Sequence, residues 1–424
     1  MMNKYKVKRI FINSFYPAYM LIYFFLMFGI RMTSYVGIPI VICIVFIGIK
    51  IFFDTFHKQS INVGKRLFAI WIVLNLASIV MYIFNDMPMG CYIHALQYYF
   101  FPMLFFLMGS DEANVDDGFY NSFFVASAFF FIVGLYLYFV MPPFYIAFQA
   151  DAWGNAWYTG SAGYNEDNIA SALRFSSFMT SSYVASALSI STIAISFGFL
   201  FRRSNIKHYI LYVLAFICIL GAVLCQQRIA MACVVLVLVV FSCYGKSKGN
   251  NFILGIFLCC LVLFISLIGL SFTDDRLSVI SEMITNRIDS MNFDEAMSGR
   301  SGQYVKAYNE IFNYFVTGKG MGAGGHAAAM NGHIGVCDGE FVHLFFEFGF
   351  IGAVVFIPFM FATLRRGIIH FNELCVETTI VVYLLLSGIG ENVLSVSYLI
   401  GPVFWFCAGR IWNNNYLLRL HNEV

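Results

Sequence analysis

The sequence predicts an all-helical, polytopic integral membrane protein, and three observations predict it. Of 424 residues, 60% are hydrophobic and only 11% are charged, against about 25% charged in soluble domains, and the mean hydropathy is +0.77. Apolar windows of about 20 residues, the length that crosses the hydrocarbon as a helix, recur near 11–30, 35–53, 67–84, 90–109, 119–141, 177–201, 208–225, 229–244, 252–272, 340–363, 376–394 and 396–412. Lysine and arginine fall unevenly between alternate connections. A net charge of +2 lacks the dense basic face of a nucleic-acid binder, so no nucleic-acid partner is expected.

The windows read as about twelve spans of a single transmembrane domain over 1–424. The basic start MMNKYKVKR leads into the first span without a small-residue cleavage pattern, so that span reads as a retained anchor. With a cytoplasmic N-terminus, the inner side holds most of the cations, among them Lys4, Lys8, Lys65, Arg202, Arg366, Arg410 and Arg419. The outer side keeps only Arg31, Arg174, Arg228, Arg276, Arg287, Arg300, Lys306 and Lys319. This bias places both termini in the cytoplasm. Most cysteines lie in apolar runs as packing residues. Cys91, Cys225 and Cys337 fall on the outer side with room for one disulfide, and no CxxC zinc pattern occurs.

Two outer connections are long. The first, 142–176, carries DAWGNAWYTGSAGYNEDN and ends near Arg174; the second, 273–339, is the most polar stretch of the chain. Irregular backbone beside a membrane survives only where protein or a watery cavity surrounds it, so both are expected to fold back over the spans. Within the second, Leu277, Ile280, Ile284, Ile288 and Met291 share one helical face, as do Tyr304, Tyr308, Ile311, Phe312 and Phe315. Each reads as a short amphipathic helix at the outer surface. No internal repeat of the kind common in transporters is visible.

The candidate chemistry gathers on the outer side. Arg174 leads the span RFSSFMTSSYVASAL, Arg228 sits in the tight turn CQQRIA, and Arg287 and Arg300 lie in the large loop. Guanidinium grips phosphate in a two-pronged way and stays charged, which suits a pyrophosphate on a lipid carrier; an outer arginine also has the plain role of anchoring a helix end. The run GKGMGAGG, Gly318 to Gly325 with Gly320 and Gly322 inside it, fails as a Walker A loop because no Ser or Thr follows its lysine. It reads as a turn whose amides are offered to phosphate or sugar, or as a plain hinge.

Downstream, His326 and His333 lie in the loop, Asp338 precedes a helix, and Glu340, His343 and Glu347 share one face of that helix. Asp338, Glu340 and His333 are candidate bases for a sugar hydroxyl. Asp338 also fits an ordinary helix N-cap. Glu347 stands about two turns into a span, where a lone carboxylate is costly, and Glu391 and Asn392 fall in the same category. Metal-ligand spacing is absent, so no metal or cofactor is expected. The helix N-terminus and the arginines together favour an anion beside a base, which fits glycosyl transfer from a polyprenyl-linked sugar.

These motifs resemble the O-antigen polymerase and O-antigen ligase superfamily, the Wzy-type polysaccharide polymerases of bacterial envelopes. Asp338-Gly339-Glu340-Phe341-Val342-His343-Leu344-Phe345-Phe346-Glu347-Phe348-Gly349-Phe350-Ile351-Gly352 resembles the family's [HD]-N-x-x-L-x-x-x-x-E-x-G-x-x-G span. GKGMG resembles its G-x-G turn, QQRIAM its arginine motif at Arg228, and RFSSFMTSS its Arg-led segment. The chain departs from the pattern where Gly339 replaces the usual asparagine and Asp338 stands where the ligase branch has histidine, which favours polymerase over ligase.

The resemblance implies a GT-C-like, inverting, metal-independent glycosyltransferase in the bacterial cytoplasmic (inner) membrane, with its active site facing the periplasm or exterior. Its donor and acceptor would be undecaprenyl-pyrophosphate-linked oligosaccharides, polymerised into O-antigen or capsular polysaccharide. Arg174, Arg228, Arg300 and Arg287, with Glu347, Gly320 and Gly322, would bind substrate, and Asp338, Glu340 or His333 would handle the acceptor proton. Membrane lipid, a chain-length regulator and a flippase are the other expected partners. An O-antigen ligase of the same fold and a flippase or transporter for the lipid-linked oligosaccharide remain the alternatives.

Overall fold

The structure is a computed structural model and describes residues 14, 16–25, 28, 62–85, 87–154, 174–179, 182–201, 206–225, 227–244, 308, 311–325, 328, 339–390 and 399–423. Among them every regular element is helical: α1 (Val63–Phe84), α2 (Met89–Ser110), α3 (Gly118–Val140), α4 (Pro143–Gly154), α5 (Ser182–Phe201), α6 (His208–Leu224), α7 (Arg228–Tyr244), α8 (Glu340–Ile369), α9 (Phe371–Ser387), α10 (Ile400–Ile411) and α11 (Asn414–Glu423). Five of these, α1, α2, α3, α5 and α8, are long and apolar enough to cross a membrane, and α6, α7 and α10 are shorter apolar helices. The windows near 35–53 and 252–272, most of both long connections, and Asp338, His333, Arg287, Arg300, Glu391 and Asn392 lie outside the described residues. So does the side chain of Arg228.

The chain divides into two compact units, Met1–Ile40 with Asp117–Asn292, and Val41–Asp116 with Phe293–Val424. In the first, α5 packs against α6, α3 and α7, and Tyr16 sits between Phe119 and Phe123 at 5.2 Å from each ring. Two local details differ from the sequence expectation. The start of the first long connection is the helix α4, because Tyr145, Phe148 and Gln149 share one buried face. The span expected from 177 begins as a helix only at Ser182, because residues 174–179 run as irregular backbone.

That irregular segment is buried and held by side chains. Ser177 has a left-handed φ of 54°; its hydroxyl donates to the Phe130 carbonyl at 2.8 Å, and its own carbonyl accepts the Tyr145 hydroxyl at 2.8 Å. Gln149 Nε2 donates to Ser176 Oγ and to the Ser177 carbonyl, both at 3.2 Å. Serines that find such partners compete with helix formation, and the helix starts after them.

In the second unit, α10 lies against the second half of α2 at a crossing where Gly109 and Gly409 face each other's backbone. Small residues at such crossings let helices approach closely in lipid, where no hydrophobic drive separates tail from side chain. Phe68 stacks on Phe106 at 4.1 Å, and Trp71 contacts Phe348 and Phe356 at 5.0 and 5.1 Å, joining α1 to α8. At one end, buried Arg410 donates to the carbonyls of Asn114 and Asp116 and Asn413 Nδ2 to those of Gly109 and Asp111. Lys65 lies 3.9 Å from Glu112, and Arg366 donates to the Ile411 carbonyl at 2.7 Å. Lys65, Arg366 and Arg410, expected on one side of the membrane, thus gather at one end.

The decisive feature of this unit is a break in α8. Gly349 has φ 58° and ψ −154° inside the helix, which frees backbone groups on both sides of it. Residues 315–320 take them up: the Lys319 and Gly320 amides donate to the carbonyls of Phe346 and Glu347 at 3.0 and 2.8 Å, while the Phe350 and Ile351 amides donate to the carbonyls of Phe315 and Val316 at 2.7 and 3.1 Å. Broken backbone within a span needs such partners, because lipid offers none. A Cβ on Gly349 would lie 2.6 Å from the Gly318 nitrogen and 2.7 Å from the Phe315 carbonyl oxygen. Gly349→Ala is therefore expected to destabilise the protein, with backbone strain alone costing about 1–3 kcal/mol. Its thermal unfolding midpoint in detergent should fall below that of wild type, whereas the exposed Val354→Ala should leave it unchanged.

Candidate functional site

The half of α8 before its break carries the polar residues. Gly339 enters the helix with φ 91°, and the Glu340 amide donates to the Gly388 carbonyl at the end of α9, at 2.7 Å. One and two turns further, His343 and Glu347 are 2% and 3% exposed, with Nδ1 and Oε1 3.8 Å apart. The His343 ring meets Tyr99 edge-on at 6.4 Å.

The glycine run fixes Glu347 in place. Gly318, Gly320 and Gly322 all have positive φ, at 69°, 106° and 86°, conformations open to glycine at no steric cost. The Tyr82 hydroxyl donates to the Met321 carbonyl at 2.6 Å and Ser78 Oγ accepts the Met321 amide at 3.2 Å, so the turn is pinned to α1. The Gly324 amide then donates to Glu347 Oε1 at 3.3 Å. The amides that the sequence seemed to offer a ligand thus face protein groups. Gly320 and Gly322 shape the loop that holds a buried acid.

Beside this acid lies a cavity of about 70 Å3, lined by Trp71 and Asn75 of α1, Tyr99 and Met103 of α2, Glu340, Phe341, His343, Leu344, Glu347, Phe348 and Phe356 of α8, Leu385 and Gly388, and Trp405 of α10. Tyr99 sits in a π-helical turn of α2, Leu96–Phe100, just ahead of Pro102, whose ring displaces the preceding turn. The lining is mainly apolar and aromatic, with two carboxylates, an imidazole and an amide set into it, the usual make-up of a small-molecule site. Among the described residues no group of three His, Cys, Asp or Glu side chains is placed to hold a metal ion.

Of the residues singled out in the sequence, the structure brings Glu340, His343, Glu347 and the Gly320–Gly322 turn together in one unit. Arg174, half-buried at the head of the irregular segment, and the backbone of Arg228, first residue of α7, belong to the other unit. The sequence reading missed Trp71, Asn75, Tyr99 and Trp405. Asn75 carried a usable signal, a polar amide in the apolar run FAIWIVLNLASIV, since polar groups within a span are costly unless they have a task.

Fold and cavity together define a helical membrane protein with a polar, aromatic-lined site inside one of its units. Comparison with protein-family models finds no match, and neither does comparison with curated proteins.

The role of Glu347 is testable through the loop it holds. Glu347→Leu leaves the Gly324 amide buried without an acceptor, a loss of about 1–3 kcal/mol, whereas Glu347→Gln retains an oxygen at the same place. The leucine variant should unfold at a lower temperature in detergent and the glutamine variant close to wild type; equal behaviour of the two would contradict this anchoring.

Proposed function

We propose that the chain is a membrane glycosyltransferase that polymerises undecaprenyl-pyrophosphate-linked oligosaccharide repeat units into O-antigen or capsular polysaccharide, at the outer face of the bacterial cytoplasmic membrane. The observation that carries the reading is the cavity that sets Glu340, His343 and Glu347 among Trp71, Tyr99 and Trp405, because carboxylates beside aromatic rings suit a neutral, hydroxyl-rich substrate with apolar faces. The motif from Asp338 to Gly352 supports it further. Its Glu347 holds the glycine turn and its Gly349 breaks the helix, so two of its fixed positions have a physical task in the structure around the cavity.

In this reading the acceptor hydroxyl oxygen bonds to the anomeric carbon of the donor sugar from the face opposite its leaving group. The bond from that carbon to the pyrophosphate oxygen breaks, the lipid pyrophosphate departs with the electron pair, and the configuration inverts. The hydroxyl proton passes to a carboxylate. Glu340, half-buried on the lining of the cavity, is assigned that role here, with Asp338 and His333 as the other candidates from the sequence, and the sequence motifs assign Arg174, Arg228, Arg300 and Arg287 to the pyrophosphate. No metal takes part. A chain-length regulator and a flippase are the proposed partner proteins.

A polysaccharide gel from cells carrying the variant gene distinguishes the outcomes. Removing a general base typically costs about a hundredfold or more in rate, so Glu340→Gln should collapse long polysaccharide to single-repeat material, and Arg228→Ala should do the same. Free, unattached polymer on loss of the gene would instead indicate a ligase, and loss of all surface sugar a flippase. With purified protein, chain extension should survive EDTA; loss that added divalent metal restores would remove the metal-independent mechanism.

A further inference from the structure

Two helices of the second unit measure how deep the connection before α8 lies. Lys65 of α1 sits 3.9 Å from Glu112 in the polar connection DEANVDD, 111–117, and that level marks one edge of the unit. Counted from Lys65 at about 1.5 Å per residue, α1 reaches Ser78 after about 20 Å, Tyr82 after about 26 Å and its cap Asn85 after about 30 Å. Hydrocarbon is about 30 Å thick, so Asn85 stands at the opposite edge. The Met321 amide and carbonyl bond to Ser78 and Tyr82, which holds the glycine turn about 4–10 Å inside that edge.

The second helix gives the same depth. From Arg366, which donates to the Ile411 carbonyl at the cationic end, α8 covers about 24 Å to Phe350, about 6 Å short of the far edge of the hydrocarbon. The Phe315 and Val316 carbonyls accept the Phe350 and Ile351 amides, and Phe315 stacks on Phe350 at 5.8 Å, so this part of the connection shares that level. Helix tilt, about 20° on average, shortens both lengths and takes the segment deeper. Phe315 and Val316 are also 46% and 58% exposed, and they extend a row of exposed apolar side chains on α8 formed by Phe350, Ile351 and Val354. Lys319, whose carbonyl accepts from Asn85 Nδ2 at 3.3 Å, stands at the edge itself, with its ammonium over the Tyr314 and Phe346 rings at 5.0 Å from each.

We propose that the connection before α8 is re-entrant, with Phe315 and Val316 inserted among the acyl chains of the leaflet opposite the Lys65 end. The glycine turn then runs within membrane depth, below the surface position that the helical period of Tyr304 to Phe315 suggests. Its backbone tolerates that depth because the exchange with α8 around Gly349 supplies the hydrogen bonds that lipid lacks. The occupant of the exposed face is lipid, since the face continues the row on α8 at a level that two separate helices place inside the hydrocarbon. This inference stands apart from the glycosyl-transfer reading.

Depth-dependent quenching tests it on the full-length chain in phosphatidylcholine vesicles. Val316→Cys carries a thiol-linked fluorophore, and the vesicles contain lipid with a nitroxide either on the headgroup or midway along the acyl chain; wild type taken through the same labelling supplies the background. The loss of fluorescence should be greater with the mid-chain nitroxide than with the headgroup one, as for the reference Val354→Cys further along α8, and aqueous iodide should cause none. Val63→Cys, exposed beside Lys65, should show the reverse preference. Phe315→Cys is read independently and should match Val316→Cys, so a failure of either variant to fold leaves the other. Stronger quenching by the headgroup nitroxide or by iodide would put the segment at the surface, and no quenching by any of the three would put protein over it; either result overturns the insertion.

Discussion

A helix that stops bonding to itself within a span has to find its missing partners in protein, and the backbone exchange between α8 and residues 315–320 meets that need. Much of the second unit follows from it. Because Gly349 turns out of the helix, the Phe346 and Glu347 carbonyls are free to hold Lys319 and Gly320. With those two residues held, the glycine turn continues against Ser78 and Tyr82 and brings the Gly324 amide to the Glu347 carboxylate. Glu347 then stands 3.8 Å from His343, and the polar wall of the cavity is complete.

The unit has two buried polar clusters. At one end Arg410 donates to the carbonyls of Asn114 and Asp116 and Asn413 to those of Gly109 and Asp111, fastening α10 to the end of α2 and the connection after it, while Arg410 Nε has no partner among the described residues. Around the cavity, Trp71 Nε1 and Asn75 Oδ1 likewise have no hydrogen-bond partner among the described residues. Burial and polarity are alike in the two places.

Much of this was legible in the sequence because helix formation in lipid is governed by long apolar runs: the windows near 67–84, 90–109, 119–141 and 340–363 correspond to α1, α2, α3 and α8 within a few residues. Glu347 also announced itself, as a carboxylate where lipid tolerates none alone. The break at Gly349 did not, since the helical period runs through it unaltered and its cause is the distant segment 315–320. The glycine run was recognisable as a turn, but the partners of its amides lie hundreds of residues away in α1 or two turns into α8. Ser176 and Ser177 hid the late start of α5, because their competing bonds are made to α3 and α4. Tyr145, Phe148 and Gln149 in α4 offered a short amphipathic pattern inside what otherwise reads as a polar loop.

The hydrogen bonds from Tyr82 and Ser78 to Met321 join residues 239 and 243 positions apart. A ribosome delivering this chain to the membrane in order therefore inserts α1 and α2 long before the glycine turn exists. During that interval the Tyr82 hydroxyl lacks the carbonyl it donates to, while the Ser78 hydroxyl keeps the Asn75 carbonyl of its own helix. Completion of the cavity wall is consequently a late event in biogenesis, contingent on the last third of the chain having emerged, and an early-terminated product would carry these helices without the turn that packs against them.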